Sequence, residues 1–153
     1  MLPLEIVGLL RDLSVAQDRL DQHAAQMLGL NRTDQRALDL IGRAGTLMPS
    51  ELARSLGMST GATSAVLDRL ERAGYAVREP DPHHRRHTLV RMTPRAEALC
   101  AALFDPIVAA ATRQAEGRSD AQRDAIGGFL ADHAGFIRSY IDAREASMDP
   151  PVA

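Results

Sequence analysis

The sequence predicts a mainly α-helical chain with one small two- or three-stranded β element near its middle. Three observations point there. Apolar residues recur at helical spacing over most of the chain. The period drops from 3.6 to 2 only beyond Gly74. The bend-rich, cation-bearing stretch "DPHHRRHTLV" (81–90) sits inside that change.

Taken in order, Ile6, Leu10, Leu13, Leu20, Ala24 and Met27 follow steps of four and three residues, broken only at Gln17. This is a long amphipathic helix with a near-heptad seam. A helix of about 25 residues finds too little partner surface in so small a domain, so it is expected to pack against another subunit. Thr33 is the expected N-cap of a second helix carrying Ala37, Leu40, Ile41 and Ala44, ended by Gly45. "LMPSELARSLG" reads as a third, short helix with Pro49 in its first turn, Leu52 and Leu56 inward and Gly57 at its end. Ser59 caps a fourth helix reaching Arg72, with Ala62, Val66, Leu67 and Leu70 on its inner side and Gly74 beyond it. Only Gly57, Met58 and Ser59 separate the third helix from the fourth, the spacing of a helix-turn-helix.

After Gly74, "YAV" and "TLVRM" are short strand candidates and "EPDPHHRR" is the turn-rich loop between them. Thr93 and Pro94 restart a helix with Ala96, Leu99, Leu103 and Ile107 on one face, and Pro106 is expected to kink it or end it early. Ser119 and Gln122 form a capping box for the last helix, whose stripe is Ile126, Phe129, Leu130, His133, Phe136, Ile137 and Tyr140. The tail from 147 is expected to be disordered. A helix-turn-helix followed at once by a hairpin is a winged helix, the hairpin loop being the wing. The expected organisation is a single domain. Residues 31–93 form the winged helix-turn-helix lobe, 1–30 and 94–146 supply long dimerisation helices, and 147–153 are tail.

Composition narrows the function. A length of 153 residues suits one domain with a real core. The net charge is −2, but it is uneven: residues 1–50 hold 5 Arg and 6 acids, residues 51–92 hold 7 Arg and 5 acids, and residues 93–153 hold 6 Arg and 9 acids. The middle segment is therefore the one basic part and the one expected to seek a polyanion. A single cysteine, Cys100, excludes an internal disulfide framework and fits a reducing compartment. No basic leader with a cleavage site and no apolar run of about 20 residues is present, so a cytoplasmic protein without membrane contact is expected. No Gly-rich phosphate loop, zinc-ligand spacing or nucleophile motif is found, so no enzyme, cofactor or metal is expected. His83, His84 and His87 read as polar loop residues, His133 as a hydrogen-bonded interface residue and Cys100 as a packing residue. His23 on the first helix is the candidate for lining a ligand cavity.

The fourth helix carries the candidate DNA contacts. Gly61, Ser64 and Ala65, with Thr60 at the edge, lie opposite its apolar side. Small uncharged residues let a helix backbone approach base edges, hydroxyls of Thr60, Ser64 and Thr63 can donate or accept, and alanine can meet a thymine methyl. Ser59, Thr60 and Gly61 could equally do no more than start the helix. Arg85 and Arg86 stand at the loop tip, where a cation reaches phosphate or a narrow minor groove. Arg54 and Arg69 could hold phosphates or pair with Asp68 or Glu71 inside the domain.

The stretch 47–95 resembles the MarR family of bacterial transcription regulators. The resemblance rests on Pro49-Ser50-Glu51-Leu52-Ala53, Leu56-Gly57-Met58-Ser59, Leu67-Asp68-Arg69-Leu70-Glu71-Arg72 with Gly74, Asp81-Pro82 followed by Arg85-Arg86, Leu89-Val90 and Thr93-Pro94. It implies a homodimer of winged helices on a palindromic operator in double-stranded DNA. It also implies a repressor, often released by an aromatic or phenolic ligand. The sequence departs from the family pattern at three places. His84 stands where an acid usually braces the wing, Met48 where a threonine often caps the third helix, and Val77 where a polar residue is common. Two alternatives stay open at this point: a DNA-binding dimer without small-molecule input, and a winged-helix protein-interaction module.

Overall fold

The computed structural model describes residues 2–84 and 86–147, excepting the side chains of 145–147. The elements run α1 (Pro3–Leu28), α2 (Arg32–Ala44), β1 (Thr46–Leu47), α3 (Pro49–Leu56), α4 (Thr60–Arg72), β2 (Ala76–Pro80), β3 (Thr88–Met92), α5 (Pro94–Glu116) and α6 (Asp120–Ser147). The chain divides into two compact units, one ending at Asp105 and the other starting at Pro106.

The first unit is built on the predicted pattern of apolar residues. Leu38 and Ile41 of α2, Leu52 of α3, Val66, Leu67 and Leu70 of α4, and Val90 of β3 are almost completely buried and form its core. The three strands lie in the order β1–β3–β2, all antiparallel, with Thr46 opposite Arg91 and Arg78 opposite Val90. The sequence named no residues for β1. Two residues are too few to show a period, and only pairing with β3 makes them a strand. β2 runs through Glu79 and Pro80, further than "YAV" suggested. It is an edge strand, where proline's missing N–H costs no ladder bond.

The ends of α1 and α4 are tied together. Gly74, at φ +72°, reverses the chain after α4. The next residue, Tyr75, is buried, and its hydroxyl donates to the Leu28 carbonyl at 2.9 Å. The Arg95 guanidinium lies 5.3 Å from the Tyr75 ring centroid. Thr93 starts α5 as expected: its hydroxyl donates to the Gly74 carbonyl at 2.8 Å and accepts the Ala96 N–H at 3.2 Å.

Two helix boundaries differ from the expectation. The N-cap of α2 is Asn31, not Thr33: its Oδ1 accepts the Asp34 N–H at 2.8 Å. Both residue types cap well, and the choice was made by Asp34, which is buried one turn inside. Pro106 does not end α5, which continues to Glu116. A proline removes one N–H from the ladder, and the remaining bonds carry the helix on. The division between the two units falls at this proline. On α5 the inward residues are Ala96, Cys100 and Leu103, with Leu99 exposed. Burial, reinforced by the charge of Asp39, pushes the Cys100 thiol above its ordinary range.

In the second unit the capping box of α6 is present: Gln122 Oε1 accepts the Ser119 N–H at 3.0 Å, and Ser119 Oγ accepts the Gln122 N–H at 3.3 Å. Along α6, Phe129 stacks on His133 and Phe136 on Tyr140, with ring centroids 6.1 and 6.2 Å apart. Of the expected tail, Ser147 closes α6 and 148–153 lie outside the described residues.

Candidate nucleic-acid interface

Gly57, at φ +64°, ends α3, and three residues later α4 begins. α3 lacks a side-chain cap at Met48, but the Glu51 carboxylate accepts the Met48 N–H at 2.7 Å and holds that end. Ser59 caps α4: its Oγ accepts the Ala62 N–H at 3.3 Å.

α4 buries Thr63, Val66, Leu67 and Leu70. Two expectations are corrected here. Ala62, placed inside by the helical wheel, is exposed, and Thr63, taken as a base contact, is completely buried. The Thr63 hydroxyl donates to the Ser59 carbonyl at 3.0 Å, so the buried polar atom is satisfied within the helix and does not face DNA. Thr60, Gly61, Ser64 and Ala65 are exposed, as expected of them. A Cβ built on Gly61 would meet nothing within 4 Å. Its smallness serves no packing inside the chain, although glycine costs a helix about 1 kcal/mol relative to alanine.

Arg69 is also corrected. Within the chain its partner is Asp34, not Asp68 or Glu71. Its Nε and Nη2 donate to the two carboxylate oxygens of Asp34 at 2.8 and 2.7 Å. This hydrogen-bonded pair holds the guanidinium above its ordinary pKa. Asp34 also accepts the Asn31 side-chain amide at 2.8 Å, so the start of α2 grips α4. Arg54 is exposed on α3.

Arg78 of β2 is the polar residue that the sequence reading missed. Its guanidinium bonds Asp68, Glu71 and the Ser64 carbonyl of α4. A lone arginine in a short strand candidate carries no signal of its own. The acids seven and ten residues before it on one helix edge were the available hint.

The wing loop is closed by Asp81. Its N–H donates to the His87 carbonyl at 2.9 Å, and its carboxylate accepts the His83 N–H at 2.8 Å. That backbone bond holds the Asp81 carboxyl below its usual range. The His87 N–H donates to the His84 carbonyl at 2.7 Å, and the two rings lie 5.3 Å apart. Order at the loop therefore comes from Asp81, although position 84 holds no acid. Arg86 is exposed. Arg85 lies outside the described residues. His23 is exposed on α1. Among the described residues, no three His, Cys, Asp or Glu side chains gather to hold a metal ion.

Comparison with known proteins agrees with this geometry. A model of the MarR family matches residues 28–87. The HTH-type transcriptional regulator YcgE of Bacillus subtilis is 39% identical over 101 residues, 66% of each chain. The multiple antibiotic resistance protein MarR of Salmonella typhimurium is 36% identical over 84 residues, 55% of this chain and 58% of that one. The matched stretches thus span just under two thirds, and somewhat over half, of these relatives. Among solved structures, a multiple antibiotic resistance repressor MarR superposes with a TM-score of 0.57 at 25% identity, covering 88% of this chain and 96% of that one. Streptococcus pneumoniae FabT, solved in complex with DNA, gives 0.62 at 20% identity, over 90% of this chain and 98% of that one, and so shares the fold. The helix-turn-helix, the hairpin wing and these relatives together identify residues 28–87 as a winged helix-turn-helix of the MarR family.

Proposed function

We propose that this protein binds a palindromic operator in double-stranded DNA as a homodimer. The N-terminal half of α4 lies against base edges and the β2–β3 wing against the flanking backbone. The observation that carries the reading is the exposed, uncharged, small-residue stripe Thr60, Gly61, Ser64 and Ala65, one turn beyond α3. Gly61 in particular has no internal reason to be small. The FabT structure, a complex with DNA on the same fold, supports it. The proposed role is repression of transcription, relieved by a small aromatic or phenolic ligand. That last part rests on the family resemblance, and His23 stays its candidate residue. The reading is of a non-enzymatic protein acting where the DNA is, in the cytoplasm. Among the described residues no helix is long and apolar enough to cross a membrane.

Gel shift on a pool of randomised duplexes, with increasing salt, tests the DNA reading. Wild type should retain a subset of sequences, and log K should fall with log salt by about 0.9 per phosphate neutralised. Arg86→Ala should weaken binding to all duplexes and reduce the slope by about one for each wing engaged. Unchanged affinity and slope would mean that the wing does not touch DNA. No binding by wild type would favour the protein-interaction alternative.

The homodimer is supported by apolar surface left open on the long helices. Leu4, Leu9 and Val15 on α1 and Phe136, Tyr140 and Ile141 on α6 are all exposed, Leu4 by 80% and Phe136 by 66%. Light scattering at micromolar concentration should report twice the chain mass. A stable monomer would overturn the assembly.

A further inference from the structure

The Arg78 guanidinium bridges three residues of α4 that share one edge of the helix, at spacings of four and three. Nη1 donates to Asp68 Oδ1 at 2.8 Å and to Glu71 Oε2. Nη2 donates to the Ser64 carbonyl at 3.2 Å and approaches Ser64 Oγ at 3.4 Å. The other Glu71 oxygen accepts the Arg78 backbone N–H at 2.9 Å. Arg78 stands opposite Val90, on the side of the sheet that Val90 buries in the core, and its side chain is 25% exposed. A strand of the wing and the exposed edge of α4 are therefore held by one planar cation.

This arrangement has a consequence for Ser64. A serine hydroxyl offers one hydrogen and two lone pairs, whereas a guanidinium offers only donors. Arg78 can occupy a lone pair of Ser64 Oγ but cannot take its hydrogen, and its positive charge turns that hydrogen away. Nor is the hydrogen spent inside the helix. Thr63 gives its own to the Ser59 carbonyl, and among the described residues Ser64 has no such bond. One lone pair of Ser64 Oγ stays open, but the adjacent cation weakens it as an acceptor and strengthens the O–H as a donor, so the hydroxyl is biased toward donation. In the major groove a donor suits the acceptors of guanine and thymine and the N7 of adenine, and meets the amino group of cytosine unfavourably.

We propose that Arg78 is a specificity-positioning residue: by biasing the Ser64 hydroxyl toward donation it makes this protein disfavour cytosine at the base that Ser64 faces. The proposal rests on the reading of α4 as the DNA-contacting helix. The test is bind-and-sequence on a randomised duplex pool with wild type, Ser64→Ala, Arg78→Lys, Arg78→Gln and the double variant Ser64→Ala/Arg78→Lys. Arg78→Lys keeps a cation between Asp68 and Glu71, and so the fold, but loses the fork that reaches Ser64. A thermal melt of each variant checks the fold.

Ser64→Ala should relax the cytosine penalty at its base by about fivefold, the size of one lost side-chain contact. Both Arg78 variants should relax the same positions, with a smaller change in affinity for unselected DNA. The double variant should relax them no further than Ser64→Ala alone. If the folded Arg78 variants keep the wild-type preference there, or if the effects of the two substitutions add, the inference is overturned. A wild type that binds duplexes without sequence preference would instead overturn the role given to α4, on which this inference stands.

Discussion

Replacing Asp34 by alanine is expected to lower the unfolding free energy by about 1.5–3 kcal/mol, the range for hydrogen bonds made to a charged group. The Asp34 side chain is only 4% exposed, and both of its oxygens accept from Arg69, with a further bond from the Asn31 amide. The alanine variant removes all three acceptances at once and releases α4 from the start of α2. Arg69, 41% exposed, can then turn to water. The reverse substitution, Arg69→Met, strands a carboxylate that has almost no route to solvent, so it should destabilise more than Asp34→Ala. The double variant Asp34→Ala/Arg69→Met should recover part of that loss, because no charge is left buried without its partner. Urea denaturation of the four proteins measures each term. Equal losses from the two single variants, adding in the double, would show that the pair is solvated and does not tether the helices.

Ala65→Glu is expected to weaken DNA binding on the order of a hundredfold while leaving the fold intact, since a like charge forced against a charged partner costs several kcal/mol. Ala65 is exposed on the stripe proposed to meet DNA, so the longer side chain has room in the isolated protein. Glutamate is nearly as good a helix former as alanine. The charge faces outward because Arg69, one turn on, is already held by both oxygens of Asp34. Ala65→Gln separates bulk from charge and should lose much less. Circular dichroism melts together with duplex titrations give the two readouts. An Ala65→Glu protein that binds duplexes as well as wild type would remove α4 from the interface.

What could be read from the sequence was whatever depends on neighbours along the chain. Ser59 as the cap of α4, Gly57 and Gly74 as helix ends, the capping box of α6 and the return of a helix at Thr93 all rest on bonds between residues a few positions apart. The winged helix-turn-helix followed from these together with the change in period. The exposed part of the site, Thr60, Gly61, Ser64 and Ala65, was legible for the same reason, because helical spacing alone places these residues away from the apolar row.

The tertiary structure decided what hydropathy and spacing leave degenerate. Thr63 and Ala62 are adjacent on the helix, and only packing against the core shows that the threonine turns in with its hydroxyl satisfied by Ser59. β1 exists because β3 offers it a ladder. The partners of Arg69 and Arg78 lie on other elements, Asp34 being 35 positions away in sequence. Charges pair by distance in space, and chain spacing beyond one element constrains that distance only weakly. The sequence could thus supply the helices and their polar faces. Which arginines are spent holding α4 in place was settled only when the elements packed.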